Sequence, residues 1–130
     1  MKINRKKFVY LISPNQFYKS FYKDLIGLLK TKKIGLFQLR LKNTNFKKKL
    51  IIGKNLKKIC KQYKVKLIVN DDPLLAKKLG ADGCHLGQKD MKIDEARKIL
   101  KNKIIGITCH NSISLVEKIV PKKPSYIALG

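Results

Sequence analysis

Two hydrophobic periodicities take turns along this chain. Short β-branched or aromatic runs occur at FVYLIS (8–13), IGLFQLRL (34–41), KLIVN (66–70), GCHLG (83–87), IIGITCH (104–110) and SYIALG (125–130), and they read as six strands. Between them lie longer stretches in which apolar residues recur every three or four positions: 16–33, 45–64, 73–80, 93–102 and 112–120. In the second of these, Leu50, Ile51, Leu56, Ile59 and Cys60 approximate one helical face. Strands and helices joined by short loops predict βαβ units and a parallel sheet, an α/β protein with residues 1–130 as a single domain. Two architectures satisfy that pattern, a doubly wound open sheet and a (β/α)8 TIM barrel. The first strand-to-helix turn, SPNQ, lacks the glycine fingerprint of a dinucleotide-binding sheet, and no Gly-rich phosphate loop ending in Gly-Lys-Ser/Thr occurs. Both architectures place ligands at the carboxyl ends of the strands.

The pattern breaks where chemistry is expected. In FQLRLKN, alternation puts Gln38, Arg40 and Lys42 on one face of the strand and Leu39 and Leu41 on the other. A strand buried on both sides is normally apolar throughout. An amide and two cations at the strand mouth suit a phosphate or diphosphate; a half-exposed edge strand with solvated side chains is the plainer alternative.

Acidic residues are also unevenly placed. Six of the eight (Asp71, Asp72, Asp82, Asp90, Asp94 and Glu95) fall between positions 71 and 95. Asp72 before Pro73 is expected to cap the third helix, which ends at Gly80. Asp82 reads as a turn residue, and Asp94 and Glu95 complement the amino end of the fourth helix. Asp71 and Asp90 have no such role. Each follows a strand, and the two strands are consecutive, so both carboxylates belong at one rim. Two hard oxygen ligands beside a cationic phosphate site predict Mg2+. Asn70 is either a further polar contact or a strand-ending turn residue. His85 shares a face with Gly83 and Gly87, as a substrate contact or as a packed core histidine. Thr108 is either a polar contact or a core hydroxyl. Ser114 and Glu117 fit a capping box opening the fifth helix.

A formal charge of +23 raises the question of nucleic acid. Only Arg5, Arg40 and Arg97 are arginines, and the lysines are spread over nearly every helix, so no specific nucleic-acid partner is expected. Cys60, Cys84 and Cys109 are odd in number and form no C-x-x-C pair, which suits a reducing cytoplasm, with Cys84 and Cys109 packing as small hydrophobes. FVYLIS is too short for a signal peptide core, and no run approaches the ~18 apolar residues of a membrane span.

FQLRLKN, LIVNDD, LGADGCHLGQKDM and IIGITCHN, in that order, resemble the thiamine phosphate synthase family, which includes the related thiazole tautomerases; YLIS and YIALG match its first and sixth strands. The resemblance spans essentially the whole chain and implies the TIM barrel. It implies a transferase of thiamine biosynthesis that couples hydroxymethylpyrimidine diphosphate to hydroxyethylthiazole phosphate, releasing diphosphate. By the same resemblance, Gln38, Arg40, Lys42 and Asn70 hold the pyrimidine diphosphate, Asp71 and Asp90 bind Mg2+, and Thr108 replaces the family's usual serine. The implied reaction ionises the C–O bond to diphosphate, and the thiazole nitrogen captures the resulting cation; Arg40 and Lys42 stabilise the leaving charge. The alternatives are a thiazole tautomerase and a non-catalytic ligand-binding remnant; tautomerisation needs neither diphosphate nor Mg2+. The family's Thr-x-Thr-Lys loop and last two strands, which bind the thiazole phosphate, have no counterpart here. The expectation is therefore a barrel truncated after about the sixth strand, with doubtful activity and an edge that another copy of the chain covers.

Overall fold

The computed structural model describes residues 6–130; the basic start of the chain, MKINR, lies outside them. Six strands form one parallel sheet in sequence order: β1 (Val9–Ile12), β2 (Ile34–Leu39), β3 (Lys66–Asn70), β4 (Gly83–Leu86), β5 (Ile104–Thr108) and β6 (Tyr126–Ala128). Five helices connect them: α1 (Phe21–Leu29), α2 (Phe46–Gln62), α3 (Pro73–Leu79), α4 (Ile93–Leu100) and α5 (Ile113–Ile119), the last running into a single 3-10 turn at Val120–Lys122. Every predicted element is present, β3 with the predicted bounds and the others with one or both ends trimmed by up to five residues. The sheet curls strongly enough that Tyr10 and Tyr126, from the two edge strands, meet edge to face with ring centroids 5.4 Å apart. This is the six-stranded part of a (β/α) barrel.

Alternation sorts the strand residues into two environments. Phe37, Leu39, Leu67, Val69, Cys84, Leu86, Ile105 and Ile107 point outward and pack with Leu25, Leu29, Leu56, Leu75, Ala76 and Ala96 of the helices in one buried cluster. Each large apolar side chain removed from water there contributes about 1.5–3 kcal/mol. The residues between them, including Gln38, Asn70, His85 and Thr108, face the barrel interior.

Helix ends follow local chemistry. Asp72 accepts a hydrogen bond from Leu75 N at 3.0 Å with Pro73 at the first helical position, and Gly80 closes α3 in the left-handed conformation (φ 65°) that glycine adopts without strain. Asp82 is more than a turn residue: its carboxylate accepts from Leu67 N (2.8 Å) and its carbonyl from Ile104 N (2.9 Å), tying β3 to β5 at their amino ends. The predicted capping box at Ser114 and Glu117 does not form. Ser112 is the cap, accepting from Leu115 N at 3.2 Å, because its hydroxyl reaches that orphan donor first and places Ser114 inside α5. Cys60, Cys84 and Cys109 are all buried and free. Among the described residues, no helix is long and apolar enough to cross a membrane.

Candidate active site

A cavity of about 730 Å3 opens at the carboxyl ends of the strands, within the size range of small-molecule sites. Its rim is built by the loops after β2, β3 and β4. Arg40 stands just beyond β2, Asn70 ends β3, and Asp71 follows it. Asp71 N donates to His85 O at 2.7 Å, which holds the residue in the left-handed region (φ 60°), a conformation aspartate tolerates better than most side chains. Asp90 is brought back over the end of β4 by Gly87 N, which donates to its Oδ2 at 2.7 Å. Asn70 Nδ2 lies 3.3 Å from Asp71 Oδ2. Among the described residues, nothing donates a hydrogen bond to the second oxygen of either carboxylate.

The electrostatics of the rim bear on what can sit there. Partial burial raises the Asp71 pKa, the nearby Asp90 carboxylate raises it further, and Lys49 of α2 and Arg40 pull it down. Two carboxylates that repel one another, with free hard oxygens, suit a divalent cation. Among the described residues no group of three or more His, Cys, Asp and Glu gathers as a metal site would. The carboxylate pair instead matches the way Mg2+ binds, through one or two protein oxygens plus ligand phosphates.

Below the rim, a chain of polar side chains crosses the interior. Gln38 Nε2 donates to the Tyr10 hydroxyl (3.0 Å), Tyr10 bonds Tyr126, the Tyr126 hydroxyl reaches His85 Nδ1 (2.8 Å), and His85 Nε2 reaches Thr108 Oγ1 (2.7 Å). Gln38 and His85 are buried, at 3% and 9% exposure, yet no buried side-chain polar atom among the described residues lacks a partner. Burial lowers the His85 pKa, the Asp90 carboxylate pulls it back up and Arg40 lowers it again, a balance that favours the neutral imidazole. Burial also raises the pKa of both tyrosines. The thiols of Cys60 and Cys84 are pushed up to about 12 by burial, which makes neither a nucleophile.

Of the residues singled out from sequence, Gln38, Arg40, Asn70, Asp71, His85, Asp90 and Thr108 all line this cavity. Lys42 does not. β2 ends at Leu39, so its alternation does not extend to Lys42, which lies exposed in the following loop with its backbone N bonded to Asn15 O. Lys89, within the quoted LGQKDM, and Gln88, whose side chain bonds the Thr108 carbonyl, line the cavity instead. Sequence reasoning passed over both, and over Tyr10 and Tyr126. Their signal is parity: Tyr10, paired with Leu36, and Tyr126, paired with Gly106, occupy inward positions.

The thiamine monophosphate synthase family matches residues 9–130. The chain belongs to that family. It is 64% identical over 130 residues to the thiamine-phosphate synthase of Pelagibacter ubique (strain HTCC1062), covering 99% of this chain and 62% of the relative. It is 47% identical over 94 residues to the thiamine-phosphate synthase of Saccharophagus degradans, covering 72% of this chain and 43% of the relative. The solved structure of thiamine phosphate pyrophosphorylase from Pyrococcus furiosus superposes with a TM-score of 0.84 at 28% identity, over 95% of this chain and 59% of that one. The chain thus spans less than two thirds of the length of each of these family members.

Proposed function

We propose that the protein takes part in thiamine phosphate synthesis, joining hydroxymethylpyrimidine diphosphate to hydroxyethylthiazole phosphate with loss of diphosphate. The observation that carries this reading is the rim itself. Arg40 and the Asp71–Asp90 pair stand together over a cavity of the right size, in a chain 64% identical to a thiamine-phosphate synthase. In this reading residues 1–130 are one domain, the six-stranded part of the barrel. Its location is the cytoplasm, which three free, buried cysteines support.

Asp71 and Asp90 would hold Mg2+ through their free oxygens, and the ion when bound would neutralise charge on the diphosphate. Arg40 would grip phosphate oxygens with its guanidinium fork, and Lys89 and Lys49 add positive potential at the same rim. As the C–O bond breaks, its electron pair leaves with the diphosphate, where these cations offset the growing charge. The pyrimidine methylene is left electron-poor, and the thiazole nitrogen supplies the pair for the new C–N bond. Gln38 and the neutral His85, fixed in the interior network, would orient the heterocycle.

The test incubates the purified protein with both substrates and Mg2+ and follows thiamine phosphate and diphosphate. The reading predicts the two products in equal amounts, with Arg40→Gln strongly impaired. A folded protein that neither forms product nor binds the pyrimidine diphosphate contradicts it.

A further inference from the structure

The Tyr126 ring occupies space that its register partner leaves open. Tyr126 pairs with Gly106 across β5 and β6, and a Cβ on Gly106 would overlap the ring at Cζ and both Cε atoms. The ring therefore lies directly over the β5 backbone and stacks on His85, with centroids 5.6 Å apart and planes 23° off parallel. From there its hydroxyl bridges Tyr10 and His85 Nδ1. Both imidazole nitrogens are thus occupied, Nδ1 by Tyr126 and Nε2 by Thr108. A neutral imidazole carries one N–H, so one of these bonds must be accepted and the other donated.

The direction follows from the far end of the chain. Gln38 Nε2 donates to Tyr10 O, and among the described residues Tyr126 is the acceptor left for the Tyr10 hydrogen; assigning it there keeps that buried hydrogen bonded. Tyr126 then donates to Nδ1, and Nε2–H donates to Thr108 Oγ1. In this assignment Gln38, Tyr10, Tyr126 and His85 each give one hydrogen to the chain. The hydrogen left over belongs to Thr108, at the wall of the cavity.

We propose that Gly106 and Tyr126 are positioning residues that lock His85 as the Nε2–H tautomer and thereby make the Thr108 hydroxyl a hydrogen-bond donor toward an anionic ligand. Gly106 acts by absence of a side chain: any larger residue displaces the Tyr126 ring and releases the imidazole. This rests on the reading of the cavity as a diphosphate ester site, since only there does a donor at Thr108 matter. The stacked contact also fixes the plane of the imidazole, so its tautomer and its orientation are set together.

Imidazole nitrogen–proton correlation spectra of 15N-histidine-labelled protein, recorded without ligand at neutral pH, decide it. The chain has two histidines, and a His110→Asn sample assigns them. The wild type should give a single His85 tautomer, protonated at Nε2. Tyr126→Phe keeps the ring but removes the donor to Nδ1, so the signal should shift to a mixture of tautomers. Gly106→Ala should reproduce that mixture; if Gly106→Ala does not fold, Tyr126→Phe decides alone. Thr108→Ser should retain the wild-type pattern. In the coupling reaction Tyr126→Phe should lower kcat/KM by roughly tenfold, as loss of a partner orienting a histidine does. A proton on Nδ1 in the wild type, or an unmoved tautomer in Tyr126→Phe, overturns the lock. A fixed tautomer in a protein that does not couple the substrates leaves the lock standing and refutes the proposed function instead.

Discussion

The two faces of this one sheet are built from neighbouring residues and obey opposite rules. Phe37 and Gln38 are consecutive in β2 and are 0% and 3% exposed. Phe37 enters the helix-packed cluster, where shape and area decide. Gln38 enters the interior, where each polar atom needs a specific partner, and there the Tyr10 hydroxyl supplies one. The outer face accounts for most of the stability through non-directional burial. The inner face contributes geometry: among the described residues its buried side-chain polar atoms all find partners, and Arg40, Asp71 and Asp90 line the cavity mouth above them. Burial alone therefore does not tell a core residue from a site residue in this fold; the parity of its position does.

Phe37→Ala separates the two faces most strongly. It opens a cavity in the outer layer and should cost about 3–5 kcal/mol in urea unfolding, whatever ligand is present. Asp72→Ala removes the α3 cap and should cost ~1 kcal/mol in the same experiment, again without regard to ligand. The inner face should announce itself through pH. Because the folded His85 has a pKa below its ordinary 6.5, protons favour the unfolded chain as pH falls through 6.5. The urea midpoint should drop from pH 7 towards pH 5, and His85→Gln should flatten that dependence. Asp71→Asn should have the smallest effect, and of the opposite sign. Its raised pKa means that stability falls as pH rises past the ordinary 3.8, so an ionised Asp71 weakly opposes folding at neutral pH. The amide should leave the melting temperature unchanged or slightly higher while ligand binding suffers.

Hydrophobic periodicity made the outer face almost fully readable, because burial against helices demands only apolar residues at alternate positions. Six strands and five helices follow from it, while the Asp-Pro pair at 72–73 and Gly80 mark the two ends of α3. The rim was readable for a different reason: Asp71 and Asp90 stood out once the ordinary helix-end roles of their acidic neighbours were assigned. Lys42 illustrates the limit. Alternation predicts its face only while the strand continues, and nothing in FQLRLKN announces that β2 stops at Leu39. Tyr10 and Tyr126 mark another. Tyrosine is common in strands for its packing alone, so a sequence gives no hint that two of them, 116 positions apart, share a hydrogen bond across a curled sheet. The capping choice between Ser112 and Ser114 turned on two residues of helix boundary, the least determined quantity in any such reading.

In the proposed function two of the six clustered carboxylates bind Mg2+ at a diphosphate site while the others are structural. Calorimetric titration with the pyrimidine diphosphate, with and without Mg2+, tests it across wild type, Asp71→Asn, Asp90→Asn and Asp94→Asn. Asp94 is the control, because its exposed ion pair with Lys122 (2.6 Å) is worth about 0–1 kcal/mol and lies outside the cavity. Mg2+-dependent binding is predicted in the wild type and Asp94→Asn and should be lost in Asp71→Asn and Asp90→Asn. The same Mg2+ dependence in all four proteins would contradict the claim.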